Sequence, residues 1–471
     1  THSWDETTSA DGSKVIQEAD NYDFLYRLIS FYGRANYSFD GRYLITATIR
    51  ADGTSRFVNN KWGIFPSVAL AWNIKNEQFL KHVEGVTAAK LRLSWGQTGQ
   101  QELNAGDYPS LPTYTYGSNA SMYWFGNRMV VPITPQGYNA DLKWETTTTY
   151  NAGLDFGFWH DRLTGNLDVY YRKTTDLLNK TPIPAGANLK NELVANIGTL
   201  VNKGVELDLN YIAIQKQDVF WQIGFNVAFN DNRVTKLTAY DSPEYKGVPT
   251  GDIAGAVGNK IQRFMVGEPV STFYVYQQVY DVNGHPIPGL YANRNDDNAI
   301  DEDDMYCYKH PAPDWTFGLN TSFNWKNWTL AVSAHANLGN YVYNNNKAQL
   351  SLMSDLWTNN FTANRIANVL TEPFHNKENI YFSDYFIENG SFLKVDNVTL
   401  GYNFKDLFAG IYHRGFDPIF NKGVDGSIFF TVQNLLTVTR YSGIDPEVFG
   451  GIDSNLYPRP RNFIVGLKLN F

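Results

Sequence analysis

The segment Asn293–Asp304, NRNDDNAIDEDD, has the residue types and the spacing of a twelve-residue calcium-binding loop. Such loops place oxygen ligands at alternating positions, and these oxygens surround a hard cation at about 2.3–2.6 Å. The ligands would be the side chains of Asn293, Asn295, Asp297, Asp301 and Asp304 and the backbone carbonyl of Ala299. Position six holds Asn298 instead of the usual Gly, and Asn tolerates a left-handed turn better than most residues. The spacing predicts a structural Ca²⁺ site, and the alternative is a solvated acidic loop that binds no metal.

Aromatic and amide residues in two other segments are candidates for substrate contact. They are Tyr114, Tyr116, Tyr123 and Trp124 in one segment, and Trp357 and Asn359 in the other. Sugar rings present C–H faces that stack on aromatic planes, while Asn side chains both donate and accept hydrogen bonds. We therefore predict that these residues contact a ligand. The alternative is that they pack on one another or on a partner protein.

Other kinds of chemistry are not indicated. The eight histidines lack the spacing of a zinc site, and no Ser-His-Asp arrangement can be placed, so we expect that the protein is not an enzyme. A net charge of −8 argues against a nucleic-acid surface. Cys307 is the single cysteine and cannot form an intrachain disulfide.

The stretches between these candidate sites alternate between apolar and polar residues. In a strand, this alternation puts the two kinds of side chain on opposite faces. The last segment has its apolar residues at Phe463, Val465, Leu467, Leu469 and Phe471. An apolar stripe that ends in a C-terminal aromatic residue is typical of outer-membrane barrels, and the family resemblance given below implies that it is the assembly signal. The alternative is the edge strand of a soluble sandwich.

The whole chain extends this pattern to about thirteen long strands, each of roughly the 9–11 residues or more that span a bilayer when tilted. Aromatic residues make up 15% of the chain, and barrels use them as girdles at both membrane interfaces. Mean hydropathy is −0.36, and no stretch resembles a membrane helix. Short connections fall on one side and long ones on the other, as in outer-membrane barrels. The fold class predicted is all-β, a transmembrane antiparallel β-barrel, with 1–26 as an extracellular segment, 27–471 as barrel, and long extracellular loops at about 98–142, 175–200, 231–312, 341–389 and 435–460.

Several motifs, in the same order along the chain, resemble the SusC-like (SusC/RagA-type) TonB-dependent outer-membrane transporters. They are Tyr43–Phe57, Trp62–Ser67, Lys90–Gln100, Leu142–Thr149, Asn196–Leu207, Ser391–Phe404, Gln433–Val448 and Tyr457–Phe471. The resemblance implies a barrel of roughly 22 strands with a plug inside it. Neither the plug nor a TonB-binding segment is recognisable in the sequence. We therefore expect that this chain is the C-terminal portion of the barrel.

The resemblance also implies partners and an activity. A SusD-like surface lipoprotein would close the extracellular mouth, TonB would act through the missing N-terminal and plug part, and the N-terminal portion of the barrel would complete the wall in outer-membrane lipid. The cargo would be an oligosaccharide or an oligopeptide. Two alternatives remain at this stage: a passive porin or adhesin barrel, and a secreted all-β glycan-active protein.

Overall fold

A computed structural model describes residues 3–8, 14–19, 26–102, 110–111, 114–117, 121–135, 137–182, 192–238, 245–253, 259–353, 356–358, 361–362, 364–370, 374, 380–407, 424–454 and 456–470. Its main element is an antiparallel sheet of 13 strands, in which each strand pairs with its neighbours in the sequence. The strands are β1 (Leu28–Phe39), β2 (Tyr43–Thr54), β3 (Trp62–Asn73), β4 (Val86–Gln100), β5 (Glu145–Phe158), β6 (Leu163–Pro182), β7 (Glu192–Gln215), β8 (Val219–Lys236), β9 (Trp315–Trp325), β10 (Trp328–Leu338), β11 (Phe392–Leu407), β12 (Val424–Thr439) and β13 (Asn462–Asn470). The predicted number of strands is confirmed.

The outer face of the sheet is apolar because the alternating residues stay in register from strand to strand. Directly paired residues form a continuous row across β4–β8, made of Leu91, Leu154, Leu167, Leu207 and Val227. Leu154 and Leu167 are exposed. A wall of exposed apolar side chains is far larger than a water-soluble monomer tolerates, and it matches the lipid-facing band of a membrane barrel.

The opposite face is polar. The Arg92 guanidinium lies 2.8 Å from a carboxylate oxygen of Asp155 and 2.8 Å from one of Asp168. Gly153 pairs with both Arg92 and Asp168, and a Cβ at this glycine would come within 2.4 Å of Asp168 Oδ1. The glycine therefore makes room for a charged group that spans three strands on the inner face.

Tight turns join the strands at one end. Asp40 and Gly41 have φ of +51° and +62°, and both central residues of a type I′ hairpin turn need positive φ. Lys326, in the turn between β9 and β10, also has positive φ. Aromatic residues collect beside these turns, as in the paired residues Trp328 and Tyr402. This end corresponds to the short-turn side predicted from the sequence.

Two hairpin strands are longer than predicted. We expected β6 to end at Thr174 and β7 to begin at Val201, but the pairing continues through register shifts to Pro182 and Glu192. The predicted loop 175–200 is therefore mostly strand, and this boundary was wrong. Bulges break the alternation, so the sequence pattern ends before the strands do.

Smaller elements occupy the connections. The helices are α1 (Gln78–Lys81) and α2 (Asn345–Leu350). The short strands are Ser3–Thr8, Lys14–Ala19, Tyr114–Tyr116, Tyr123–Phe125, Arg128–Val130, Ile133–Pro135, Val248–Asp252, Lys260–Phe264, Thr272–Val275, Gln278–Tyr280, Pro286–Tyr291, Tyr306–Cys307, Tyr341–Tyr343, Trp357–Thr358, Phe361–Thr362 and Ile387–Asn389. In the described part of the chain, no helix is both long and apolar enough to cross a membrane.

The two edge strands, β1 and β13, each pair with one neighbour among the described residues. A sheet edge exposes a row of backbone N–H and C=O groups, which lipid cannot satisfy.

Candidate functional site

Long connections at the end opposite the tight turns pack together into a compact structure. We call it the loop platform, formed by the described residues of 245–314, 339–391 and 440–461. Its core consists of Ile253, Ile261, Phe273, Val275, Tyr343, Ala348, Leu352, Phe374, Ile380, Tyr381, Phe386 and Ile387. Tyr343 is fully buried, and its hydroxyl donates a hydrogen bond to the Tyr381 carbonyl at 2.8 Å. The platform is therefore a folded unit with its own core.

A half-buried carboxylate, that of Asp384, joins the first two connections of the platform. Asp384 Oδ1 accepts a hydrogen bond from the Gln278 backbone N–H at 2.9 Å, and Oδ2 accepts one from the Tyr306 hydroxyl at 2.7 Å. Burial raises the pKa of Asp384, although both hydrogen bonds oppose the shift. These contacts fix the two connections relative to each other.

The third connection, between β12 and β13, attaches to the same unit. The Tyr441 hydroxyl donates to Asp453 Oδ2 at 2.6 Å, and the Asp453 N–H donates to the Tyr343 carbonyl at 2.9 Å. The Ser442 N–H donates to Glu388 Oε2 at 2.8 Å. Three connections that are far apart in the sequence thus form one surface.

A cavity of about 700 Å³ opens between the second and third connections. It is lined by Asn344, Asn346, Lys347, Leu350, Ile366, Ser442, Gly443, Ile444, Asp453, Leu456, Tyr457 and Pro458. The charged groups in this wall are already paired: Lys347 Nζ lies 3.3 Å from Glu388 Oε1, and Asp453 accepts from Tyr441 and Asn346. Tyr457 is 87% exposed. The cavity thus offers amides, a hydroxyl and an aromatic ring, and the two charged groups in its lining already have partners within the protein.

A salt-bridge network anchors the third connection to the barrel wall. Lys394 projects from β11 and is buried; its Nζ lies 2.7 Å from Asp445 Oδ1 and 2.8 Å from Glu447 Oε2. Arg459 reaches the same two carboxylates at 3.3 and 2.5 Å. Burial opposes ionisation of Glu447, but hydrogen bonds and charge from Lys394 and Arg459 outweigh it and lower the pKa of that carboxyl.

His335 extends the network from β10. Its Nδ1 lies 2.7 Å from Asp396 Oδ2, and its Nε2 lies 3.7 Å from Glu447 Oε1. The sequence patterns did not predict this network. A buried Lys within a strand gives no signal by itself, since its partners lie in an irregular connection.

The barrel wall described above is shared with a known family of proteins. A family model described as "TonB dependent receptor-like, beta-barrel" matches residues 3–435. The chain belongs to this family. The predicted outer-membrane barrel and its location in the outer membrane are thereby confirmed, and neither a porin or adhesin nor a secreted protein is favoured.

Individual relatives agree with the family. The chain is 44% identical over 473 residues to the TonB-dependent receptor SusC of Bacteroides thetaiotaomicron, a match that covers 99% of the chain and 46% of SusC. It is 30% identical to the TonB-dependent receptor P3 of Formosa agariphila, over 98% of the chain and 47% of that protein. These matches confirm the SusC-like resemblance.

A solved structure also agrees. The RagAB peptide transporter superposes with a TM-score of 0.73 at 25% identity, over 98% of this chain and 48% of that one. The chain spans about half the length of the relatives it matches.

The predicted calcium loop of this TonB-dependent receptor barrel is folded in the first connection of the platform. Asp304 is fully buried; its carboxylate accepts from the N–H groups of Arg294 at 2.6 Å and Asp301 at 3.0 Å. The Arg294 hydrogen bond is the main cause of the lowered pKa of Asp304, and burial opposes it. Asn298 has φ of +65°, as position six of such a loop requires.

The side chains of this loop supply oxygen atoms of the type that binds Ca²⁺. Several of these oxygens, however, already accept hydrogen bonds from backbone N–H groups. Asn293 Oδ1 accepts from the Asp296 N–H, and Asp297 Oδ1 accepts from the Ala299 N–H. Asn295 Oδ1 likewise accepts from the Asp297 N–H. Within the described ranges, no three His, Cys, Asp or Glu side chains are grouped so that they could hold a metal ion. The Ca²⁺ site stays a prediction.

The predicted substrate residues fall only partly within the described part of the chain. Tyr114, Tyr123 and Trp124 are exposed, with Tyr123 and Trp124 on a short hairpin. Tyr116 pairs through its backbone with Ile133, but its side chain lies outside the described part of the structure. The Trp357 side chain and all of Asn359 also lie outside it. Tyr114, Tyr123 and Trp124 are not among the described residues that line the platform cavity, and the role of all six residues stays a prediction.

The predicted assembly stripe lies on β13. Phe463, Val465, Leu467 and Leu469 are all exposed, and β13 pairs with β12 along its length. Phe471 lies outside the described residues. The stripe is thus positioned to face lipid, while its role in assembly remains to be tested.

Proposed function

We propose that this chain is the C-terminal part of a barrel that imports oligosaccharides across the outer membrane. It would act with a SusD-like lipoprotein and would draw energy through TonB, which contacts the N-terminal and plug part. The observation that carries this proposal is the platform cavity, which lies at the end of the wall that carries the long connections. We place that end outside the cell. The proposal includes no catalytic role, since the relatives are receptors and transporters.

The chemistry of the cavity favours a neutral, hydroxyl-rich ligand. A peptide brings charged termini that need free partners, whereas Lys347 and Asp453 already have partners within the wall. The partly exposed amide of Asn346 offers polar atoms to sugar hydroxyls, and Tyr457 offers an aromatic face for stacking. The likeness to the RagAB peptide transporter keeps oligopeptides as the second candidate.

Exposed apolar side chains on the long connections support a protein partner. Val282, Phe449, Tyr457 and Leu370 are each at least 77% exposed. Large apolar side chains in water indicate an interaction surface when they gather on one face. A surface lipoprotein that closes over the platform would cover them.

We also propose that Ca²⁺ orders the segment Asn293–Asp304. Its carboxylates would hold the ion, which would neutralise the acidic loop. The role would be structural, because the loop packs beside the core of the platform.

The test of the main proposal is uptake of a labelled oligosaccharide by cells that carry or lack the intact transporter gene. We expect uptake to require the transporter, the lipoprotein and TonB, while monosaccharide uptake stays unchanged. Binding of the purified complex to oligosaccharide and peptide libraries separates the two ligand classes. Uptake that persists without TonB would refute active import.

A further inference from the structure

The outer face of the wall carries a cluster of cations near the long-connection end of β6, β7 and β8. Lys173, Lys203 and Arg233 form it, with Asp231 among them. Lys203 Nζ lies 3.2 Å from Asp231 Oδ2, and Arg233 Nε lies 3.3 Å from Asp231 Oδ1. One carboxylate thus faces two of the three cations. Lys173 lies in the same row as Arg233, because both pair with Val201, and the cluster is net positive.

The strand register places this cluster at the second membrane interface. Lys203 pairs with Tyr171, and Tyr171 pairs with Tyr150, so Lys203 continues an aromatic row. On β8, about ten residues separate Trp221, near the tight turns, from Asp231. At about 3.3 Å per residue and a tilt of about 45°, they span roughly 23 Å, close to the height of the apolar band of a barrel. The cations therefore lie at headgroup level.

An apolar groove runs from the cluster toward the middle of the band. Its volume is about 630 Å³. The small side chain of Ala152 lies in its floor, between its pairing partners Leu93 and Val169. Tyr171 and Lys203 line one end. A groove with an apolar floor and a cation at its end complements an acyl chain that carries an anionic headgroup.

Lysine side chains on a membrane protein often extend along apolar surface until the ammonium group reaches the membrane–water interface, without binding a particular lipid. Here, however, the cations gather on three adjacent strands. In the described part of β9–β12, the same end of the outer face holds Trp315, Leu338 and Val438, which are apolar and exposed. The positive charge is therefore local and coincides with the groove.

We propose that this cluster and groove bind an outer-leaflet lipid whose headgroup carries phosphate. The acyl chain lies over Ala152, and Lys173, Lys203 and Arg233 contact the phosphate. The inference rests on the proposed placement of the long connections outside the cell. It does not depend on which nutrient is imported.

The test uses the intact transporter, purified in mild detergent and analysed by native mass spectrometry. It is offered equal amounts of one glycolipid in its phosphorylated and its dephosphorylated form. We expect preferential retention of the phosphorylated form. Each cation near an anionic headgroup contributes roughly a fivefold preference, so K173Q/K203Q/R233Q should lower retention by roughly 100-fold.

The matched control is K216Q/K326Q, in the tight turns, which should leave lipid retention unchanged. Ala152→Phe fills the groove and should reduce retention although all three cations remain. Equal retention of both lipid forms by the unaltered protein would overturn the proposal, and this comparison does not require any variant to fold. Thermal stabilisation by inorganic phosphate alone, equal to that by the lipid, would also overturn it. Nutrient uptake is measured separately, so failure of the lipid site and failure of the transport proposal are distinguishable.

Discussion

Removal of the Lys394 ammonium should loosen the connection between β12 and β13 without disrupting the barrel. Lys394→Gln keeps the length of most of the side chain but removes the charge that Asp445 and Glu447 face. Asp445 and Glu447 would then depend mainly on Arg459, with His335 a further 3.7 Å neighbour of Glu447. The affected segment is 440–461, which carries part of the platform cavity.

The expected magnitude follows from burial. Loss of one partner from a buried ion pair costs about 3–5 kcal/mol. The Lys394 side chain is 7% exposed and that of Asp445 is 12% exposed, but Glu447 is 36% exposed, so solvent screens that pair. Because Arg459 also remains, we expect about 2–3 kcal/mol of local destabilisation. This corresponds to a roughly 30- to 150-fold rise in the open population of the segment.

Hydrogen exchange measures that population directly, because amides that exchange through local opening report its free energy. Peptides covering 440–454 should exchange faster in Lys394→Gln, including the Glu447 N–H that donates to Asp445. Peptides from β5 and β6 should not change. Lys326→Gln, which removes a Lys from a tight turn, is the control.

A double variant separates the ion pair from simple packing. If Lys394 and Asp445 interact as described, Lys394→Met combined with Asp445→Asn should be less destabilising than the sum of the single changes. Exchange in 440–454 that matches the control, or full additivity of the two changes, would falsify the reasoning.

Four further predictions concern other parts of the chain. Phe471→Asp should sharply lower the yield of heat-modifiable barrel, because it removes the terminal aromatic residue of the predicted assembly stripe and places a destabilising charge on the lipid face; normal yield contradicts the assembly role. Ca²⁺ should raise the melting temperature of the purified protein and EDTA should reverse this, with Asp301→Asn abolishing the response; a response that survives in this variant argues against the site. Acidification should release segment 440–461, because the lowered pKa of Glu447 means that its stabilisation is present above the unfolded value of about 4.3 and is lost as pH falls through the folded value. Protection factors, which are corrected for the intrinsic pH dependence of amide exchange, should fall in this segment; protection that stays constant from pH 7 to pH 3 contradicts this. Trp124→Ala should weaken oligosaccharide binding by about tenfold if the ring stacks on the ligand, as measured by calorimetry, and unchanged affinity assigns Trp124 to packing or to the partner protein.

The strands of the barrel wall could be predicted from the sequence because the alternation of apolar and polar residues is a local pattern. Leu154 and Leu167 belong to period-two patterns that any window of ten residues reveals, and their pairing follows from a short turn. The prediction failed where the pattern stopped before the pairing did, as between Thr174 and Pro182, because bulges shift side chains from one face to the other.

The platform could not be predicted in this way. Phe273 and Phe386 lie in one core although more than a hundred residues separate them, and the connections between them have no repeating period. Lys394 and Asp445 meet because one connection folds back over the wall. Such contacts depend on tertiary packing of irregular backbone, which leaves no periodic trace in the sequence.

The order of the strands in the barrel wall determines where the chain can accept insertions. Since every strand pairs with its neighbours in the sequence, lengthening a connection leaves the hydrogen-bond register on both sides intact. An epitope tag in the hairpin Tyr123–Phe125 to Arg128–Val130 would therefore leave the wall unaltered. The platform is different, because an insertion near Asp384 or Asp453 would separate connections that hold each other in place. New surface properties can thus be added to this barrel through some connections, while those that form the cavity must evolve together.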